Sequence, residues 1–220
     1  MTEEVIKQFE SEHQSEWNTG ALYDFSDPRF DDFEHTAMQR IREYNLTAET
    51  PEGLRKREEI LRSCMGTYGE GLYIIPPVHA NNGLRHVHVG KNVVINYDAH
   101  FVDNADIYIG DDTMFGPNVT IVTAQHPISP RLRIQKFQYS KPVHIGKNVW
   151  LGAGVIVLPG VTIGDNSIIG AGAIVTKDVE PDSIYVGAPA RLLRKITEKD
   201  DEVYDRNQPI PEEIIEKYLR

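Results

Sequence analysis

V-G-K-N-V-V (89–94), I-N-Y-D-A-H (95–100), F-V-D-N-A-D (101–106): from Val89 onward the chain falls into blocks of six. Ile107 and Tyr108 intervene, and the blocks continue as I-G-D-D-T-M, F-G-P-N-V-T and I-V-T-A-Q-H (109–126). After an interruption the phase resumes at Ile145 with I-G-K-N-V-W, L-G-A-G-V-I, V-L-P-G-V-T, I-G-D-N-S-I, I-G-A-G-A-I and V-T-K-D-V-E (145–180). Every first position is apolar, and every fifth position except Gln125 is small or β-branched. Neither a helical period nor simple alternation produces such a pattern. A fixed six-residue period marks a solenoid.

Three blocks make one coil of three short strands, with the first positions pointing into a triangular core. Small fifth positions fit near the corners, where a bulky side chain would collide with the turning chain. Glycine at the second position and Asn, Asp or Gly at the fourth suit turns with left-handed backbone angles. The expected coils are 89–106, 109–126, 145–162 and 163–180, each pairing with the next at about 4.8 Å.

The rest of the composition bounds the class. The chain has 220 residues, one cysteine (Cys64) and a net charge of −10. That charge argues against a nucleic-acid partner. One cysteine allows no internal disulfide, so a reducing cytoplasm is the simplest compartment. The N-terminus lacks the basic segment and apolar run of a signal peptide, and no apolar run is long enough to span a membrane.

Working outward, four parts are expected: an N-terminal extension (1–20), a helical cap (21–70), the solenoid (71–186) and a closing segment with tail (187–220). Residues 1–20 read as a polar helix or a loose segment. A helix over Arg29–Tyr44 should turn Phe33, Ala37, Met38, Ile41 and Tyr44 to one face. Thr50-Pro51 begins a second helix, which presents Leu54, Ile60, Leu61, Cys64 and Met65 inward. The two helices would cover the open end of the stack, whose unpaired edge invites aggregation. Leu72–His88 forms an irregular first coil. The excursion over Pro127–Pro142 is long enough to suggest a functional loop.

Three stretches carry a family resemblance: T-A-Q-H-P (123–127), K-P-V-H-I-G-K-N-V-W through V-T-K-D-V (141–179) with G-A-P-A-R (187–191), and L-Y-D (22–24) before the helical pair. They resemble the maltose and galactoside O-acetyltransferases of the hexapeptide-repeat superfamily. The resemblance implies an all-β solenoid, a left-handed parallel β-helix with a small N-terminal helical cap and an excursion loop. It also implies a homotrimer, acetyl-CoA as co-substrate, a sugar acceptor and no metal.

Acetyl transfer to a hydroxyl needs a base, a donor for the oxyanion and two substrates in register. His126 matches the family's catalytic histidine, and Asn96 an asparagine beside it. Asp24, Asn82, Asn96 and Asn104 fall where the family places acceptor contacts, although Asp24 also reads as a helix cap and Asn96 as a turn residue. Trp150 would wall the thioester channel, with packing under the loop as the alternative. The backbone at Ala153 and Ala171 would bond the pantetheine amides. Thr176, Lys177, Arg191 and Arg194 would face the anionic nucleotide end.

Other readings of the same sequence are a xenobiotic or surface-polysaccharide acetyltransferase, a γ-class carbonic anhydrase using His86, His88 and His100, and a non-catalytic trimeric scaffold. The spacing of those histidines does not match the anhydrase. The intact T-A-Q-H-P argues against a decayed site.

Overall fold

The computed structural model describes residues 2–205 and 207–219. Its centre is a left-handed parallel β-helix with three faces. The first face stacks Thr67–Tyr68, Val87–Val89, Ile107–Ile109, Val143–Ile145 and Thr162–Ile163. The second stacks Tyr73–Ile74, Val94–Ile95, Met114–Phe115, Trp150–Leu151, Ile168–Ile169 and Ser183–Val186, closed by the antiparallel strand Arg191–Lys195. The third stacks Val78–Ala80, Ala99–Val102, Thr120–Val122, Ile156–Val157 and Ile174–Val175. The first coil opens at Thr67, earlier than Leu72.

The repeat explains the core. All twelve first positions are buried, from Val89 at 6% exposure down to Ile95, Ile121, Leu151, Val157 and Ile169 at 0%. The fifth positions Val93, Ala99, Val119, Val149, Val155 and Ala173 are equally closed. Fourth-position residues such as Asn118 and Asn148 take φ of 59° and 51°, which a short amide side chain tolerates.

The second-position glycines serve a different purpose from the one expected. None of Gly90, Gly110, Gly116, Gly146, Gly152, Gly164 and Gly170 has a positive φ. They are small because the next coil passes against them. A Cβ on Gly152 would lie 2.6 Å from the Ala171 amide nitrogen.

The helical pair forms as read. Helix α2 (Pro28–Asn45) is capped by Asp27, and α3 (Pro51–Cys64) by Thr50, each with proline in its first turn. Ile41, Tyr44, Ile60, Leu61 and Cys64 join the solenoid's buried cluster. Met38 and Leu54, expected inside, are 41% and 45% exposed, and Met65 is half-buried. Leu54 yields its place to Arg57, buried under ion pairing with Glu49 and bonding to Thr47. The Asn45 amide bonds both the N–H and the carbonyl of Val78, at 2.9 and 2.8 Å. It thereby substitutes for a missing strand on the open edge.

Residues 2–20 are neither loose nor simply polar. Helix α1 (Glu3–Trp17) buries Ile6, Phe9 and Trp17 against Tyr23, Phe30 and Phe33 in a second cluster. Glu10 clasps Arg85 at 2.6 and 2.9 Å, and Asn18 exchanges two hydrogen bonds with Asp106. No helix among the described residues is long and apolar enough to cross a membrane.

Candidate active site

The excursion is a built structure. The chain leaves the third coil through the strand Ala124–Gln125, makes a short helix α4 (Pro130–Arg133) and returns as Phe137–Ser140. The return strand pairs antiparallel with Ala124–Gln125 on one side and with Leu22–Asp24 on the other. The N-terminal L-Y-D, which precedes the helical pair, is therefore an edge strand tied to the loop.

His126 stands exposed where the chain departs. Its Nδ1 lies 2.9 Å from the Phe137 carbonyl oxygen. A carbonyl can only accept, so Nδ1 carries the proton and donates it there. Nε2 keeps the lone pair and is the atom able to take a proton from a substrate. Asp24 is opposite Phe137 in register. Its carboxyl is held below the usual carboxylate range by the Ser26 hydroxyl and backbone, and it is exposed and charged.

The other sequence-derived residues sort onto two separate edges of the prism. On the edge between the third face and the next coil stand Asn82, Asn104, His126, Thr176 and Lys177. Asn82 is 2% exposed, and its backbone and side-chain amides both donate to Asp103. Asn104 is 5% exposed. The side-chain oxygens of Asn82 and Asn104 are buried and have no hydrogen-bond partner among the described residues. Such atoms in a native fold call for an explanation. Half-buried Asn81, beside Asn82 on the same edge, was not anticipated.

Asn96, Ala153 and Ala171 stand on the opposite edge, between the second and third faces. Asn96 accepts from the Tyr97 N–H at 2.9 Å. Ala153 and Ala171 are exposed, and the Ala153 carbonyl accepts the Gly172 N–H. Trp150 is 51% exposed beside them, in register with Met114 and Ile168. Between the edges runs a strand such as Ala99–Val102, whose extended residues span on the order of 10–13 Å. One chain therefore does not bring Asn96 to His126.

Arg191 and Arg194 lie on the closing strand, and both are exposed. Arg194 forms a two-pronged pair with Asp200 at 2.8 and 2.6 Å, which holds the Asp200 carboxyl down at about 2. Cys64 is buried in the cap, where burial pushes its thiol up to about 11 and away from nucleophilic use. His88 stacks on Tyr108 on the first face and His100 on His79 on the third. Facing different directions, His88 and His100 do not converge on one ion.

Coils of hexapeptides with a histidine at the root of a built loop define a hexapeptide-repeat transferase. A profile described as bacterial transferase hexapeptide (six repeats) matches residues 142–177. The galactoside O-acetyltransferase of Lactococcus lactis subsp. lactis (strain IL1403) is 44% identical over 194 residues, covering 88% of this chain and 92% of the relative. Among solved structures, a galactoside acetyltransferase in complex with coenzyme A aligns with a TM-score of 0.84 at 34% identity, covering 91% of this chain and 98% of the other. A maltose O-acetyltransferase from Clostridium difficile 630 aligns with a TM-score of 0.77 at 42% identity, covering 81% and 94%. The chain belongs to the maltose and galactoside O-acetyltransferase family, and it is an acyltransferase.

Proposed function

We propose that this protein moves an acetyl group from acetyl-CoA to a hydroxyl of a sugar, by direct transfer, as a homotrimer whose sites lie between protomers. The observation that carries the reading is the exposed His126 with its Nδ1 proton committed to the Phe137 carbonyl, which leaves Nε2 as the basic nitrogen. Nε2 takes the proton of the acceptor hydroxyl as its oxygen attacks the thioester carbonyl. The resulting imidazolium returns that proton to the departing thiolate, and no acetyl-enzyme forms.

The split of the candidate residues over two edges supports a cyclic trimer. In the proposed trimer the His126 edge of one protomer meets the Asn96, Trp150, Ala153 and Ala171 edge of the next. Asp24, Asn81 and Asn104, with the unpartnered oxygens of Asn82 and Asn104, suit a ligand rich in hydroxyls. Thr176, Lys177 and Arg191 are the proposed contacts for the nucleotide end of acetyl-CoA. Arg194 would join them only by leaving Asp200. The proposed compartment is the cytoplasm, in keeping with a single buried thiol.

The test is thiol release from acetyl-CoA against a panel of glucose, maltose, galactosides and aminoglycosides. Acceptance of sugars with retained Nε2 chemistry supports the proposal. Turnover only with an antibiotic or a polysaccharide unit would move the acceptor to those classes.

A further inference from the structure

We infer that Tyr23 is a positioning residue for His126, acting through the return strand; the inference rests on His126 being the base. Among the described residues the Nδ1 proton of His126 has one partner, the Phe137 carbonyl, and that carbonyl is only as fixed as the strand Phe137–Ser140. The strand is held on its outer side by Leu22, Tyr23 and Asp24, in register with Tyr139, Gln138 and Phe137, and the Phe25 N–H extends the pairing to the Lys136 carbonyl at 3.3 Å. Ladders this short draw much of their stability from side-chain contacts across the strands.

Tyr23 supplies a lock of this kind. It is 3% exposed, and its hydroxyl oxygen accepts the Gln138 Nε2 proton at 2.6 Å and meets the Ser140 hydroxyl at 2.9 Å. With the amide donating to it, the phenol's own proton is free for Ser140. Gln138 is 6% exposed and Ser140 0%, so neither has water as a substitute partner. Burial raises the Tyr23 phenol above its ordinary range, which keeps it a neutral donor. The ring packs beside Phe30 in the aromatic cluster that α1 and α2 share. The lock thus connects the docked N-terminal helices to the atom that sets the histidine's tautomer. When the carbonyl shifts, Nδ1 loses its acceptor, the other tautomer gains population, and the lone pair leaves Nε2.

The experiment uses the full chain and thiol-release kinetics. Tyr23→Phe keeps the ring and removes the lock; kcat should fall about tenfold, with KM for acetyl-CoA unchanged. The acid limb of kcat/KM against pH should also move, because the partner of one imidazole nitrogen tunes the basicity of the other. Ser140→Ala should move the limb in the same direction. In a His126→Ala background, Tyr23→Phe should have no further effect, since the two act as one unit. Wild-type kcat and pH profile in Tyr23→Phe overturn the inference, as does an equal fold-loss in both backgrounds. Full activity in His126→Ala would overturn the base assignment itself, and is read from that variant alone.

Discussion

If Asn96 and His126 meet only across a protomer boundary, two crippled chains should rescue each other in a predictable ratio. One chain carries His126→Ala and the other Asn96→Ala, each with its own affinity tag. Trimers retained by both tags contain two of one chain and one of the other. Each site takes its histidine edge from one protomer and its asparagine edge from the next around the ring. In either mixture one junction joins an intact histidine edge to an intact asparagine edge, one junction lacks both, and one lacks a single group. Mixed trimers should therefore show about a third of wild-type kcat per site, whichever chain is in excess. The geometric basis is the separation of the two edges by a whole strand of the third face. The assay is thiol release on the doubly purified trimer, with each parent alone as control. Mixed trimers no more active than the mean of the parents would refute the shared-edge reasoning, and so would a monomeric parent.

Three further outcomes follow from particular contacts. Gly152→Ala would set a Cβ 2.6 Å from the Ala171 nitrogen and 2.9 Å from its Cα, so two coils must separate; overpacking of this kind costs about 1–3 kcal/mol, and thermal unfolding should show a lowered Tm. Burial, with the charges of Asp103 and Asp31, raises the Glu34 carboxyl from 4.5 to about 7. The folded chain then holds a proton that the unfolded chain has released between those values, so stability falls as pH rises through that window and stays lower above it. After discounting for partial exposure, Glu34→Gln should gain on the order of 1–2 kcal/mol over wild type at pH 8, and much less at pH 4, measured by urea unfolding. A deletion of residues 128–135 removes Ile128 and Ile134, 93% and 78% exposed, yet spares the return strand; KM for both substrates should rise with the fold intact, and unchanged KM values would make the loop tip dispensable.

Much of the fold was legible because a solenoid is local. Each coil contacts only its neighbours, so a six-residue period states the core directly, and Thr50-Pro51 states a helix start directly. The role of the second-position glycines was misread because close approach between coils leaves no mark that distinguishes it from a turn. Met38 and Leu54 fit the helical period, but the cap meets the solenoid over a narrower stripe than the period allows. Helix α1 was missed as a packed element because its apolar residues Ile6, Phe9 and Trp17 are sparse and their partners lie in α2. The pairing of Leu22–Asp24 with the return strand joins residues more than a hundred positions apart, and no local pattern encodes it. Asn96 and His126 could be picked out from family resemblance. That they stand on different edges follows only from counting strands around the prism.

The central claim is that neutral His126 takes the acceptor's proton. Removing a general base costs on the order of 10²–10⁴ in rate. His126→Ala should lose that much kcat in the thiol-release assay with saturating sugar, while calorimetric binding of acetyl-CoA stays nearly unchanged. With chemistry rate-limiting, a His126→Ala enzyme that keeps more than about a tenth of wild-type kcat would contradict it.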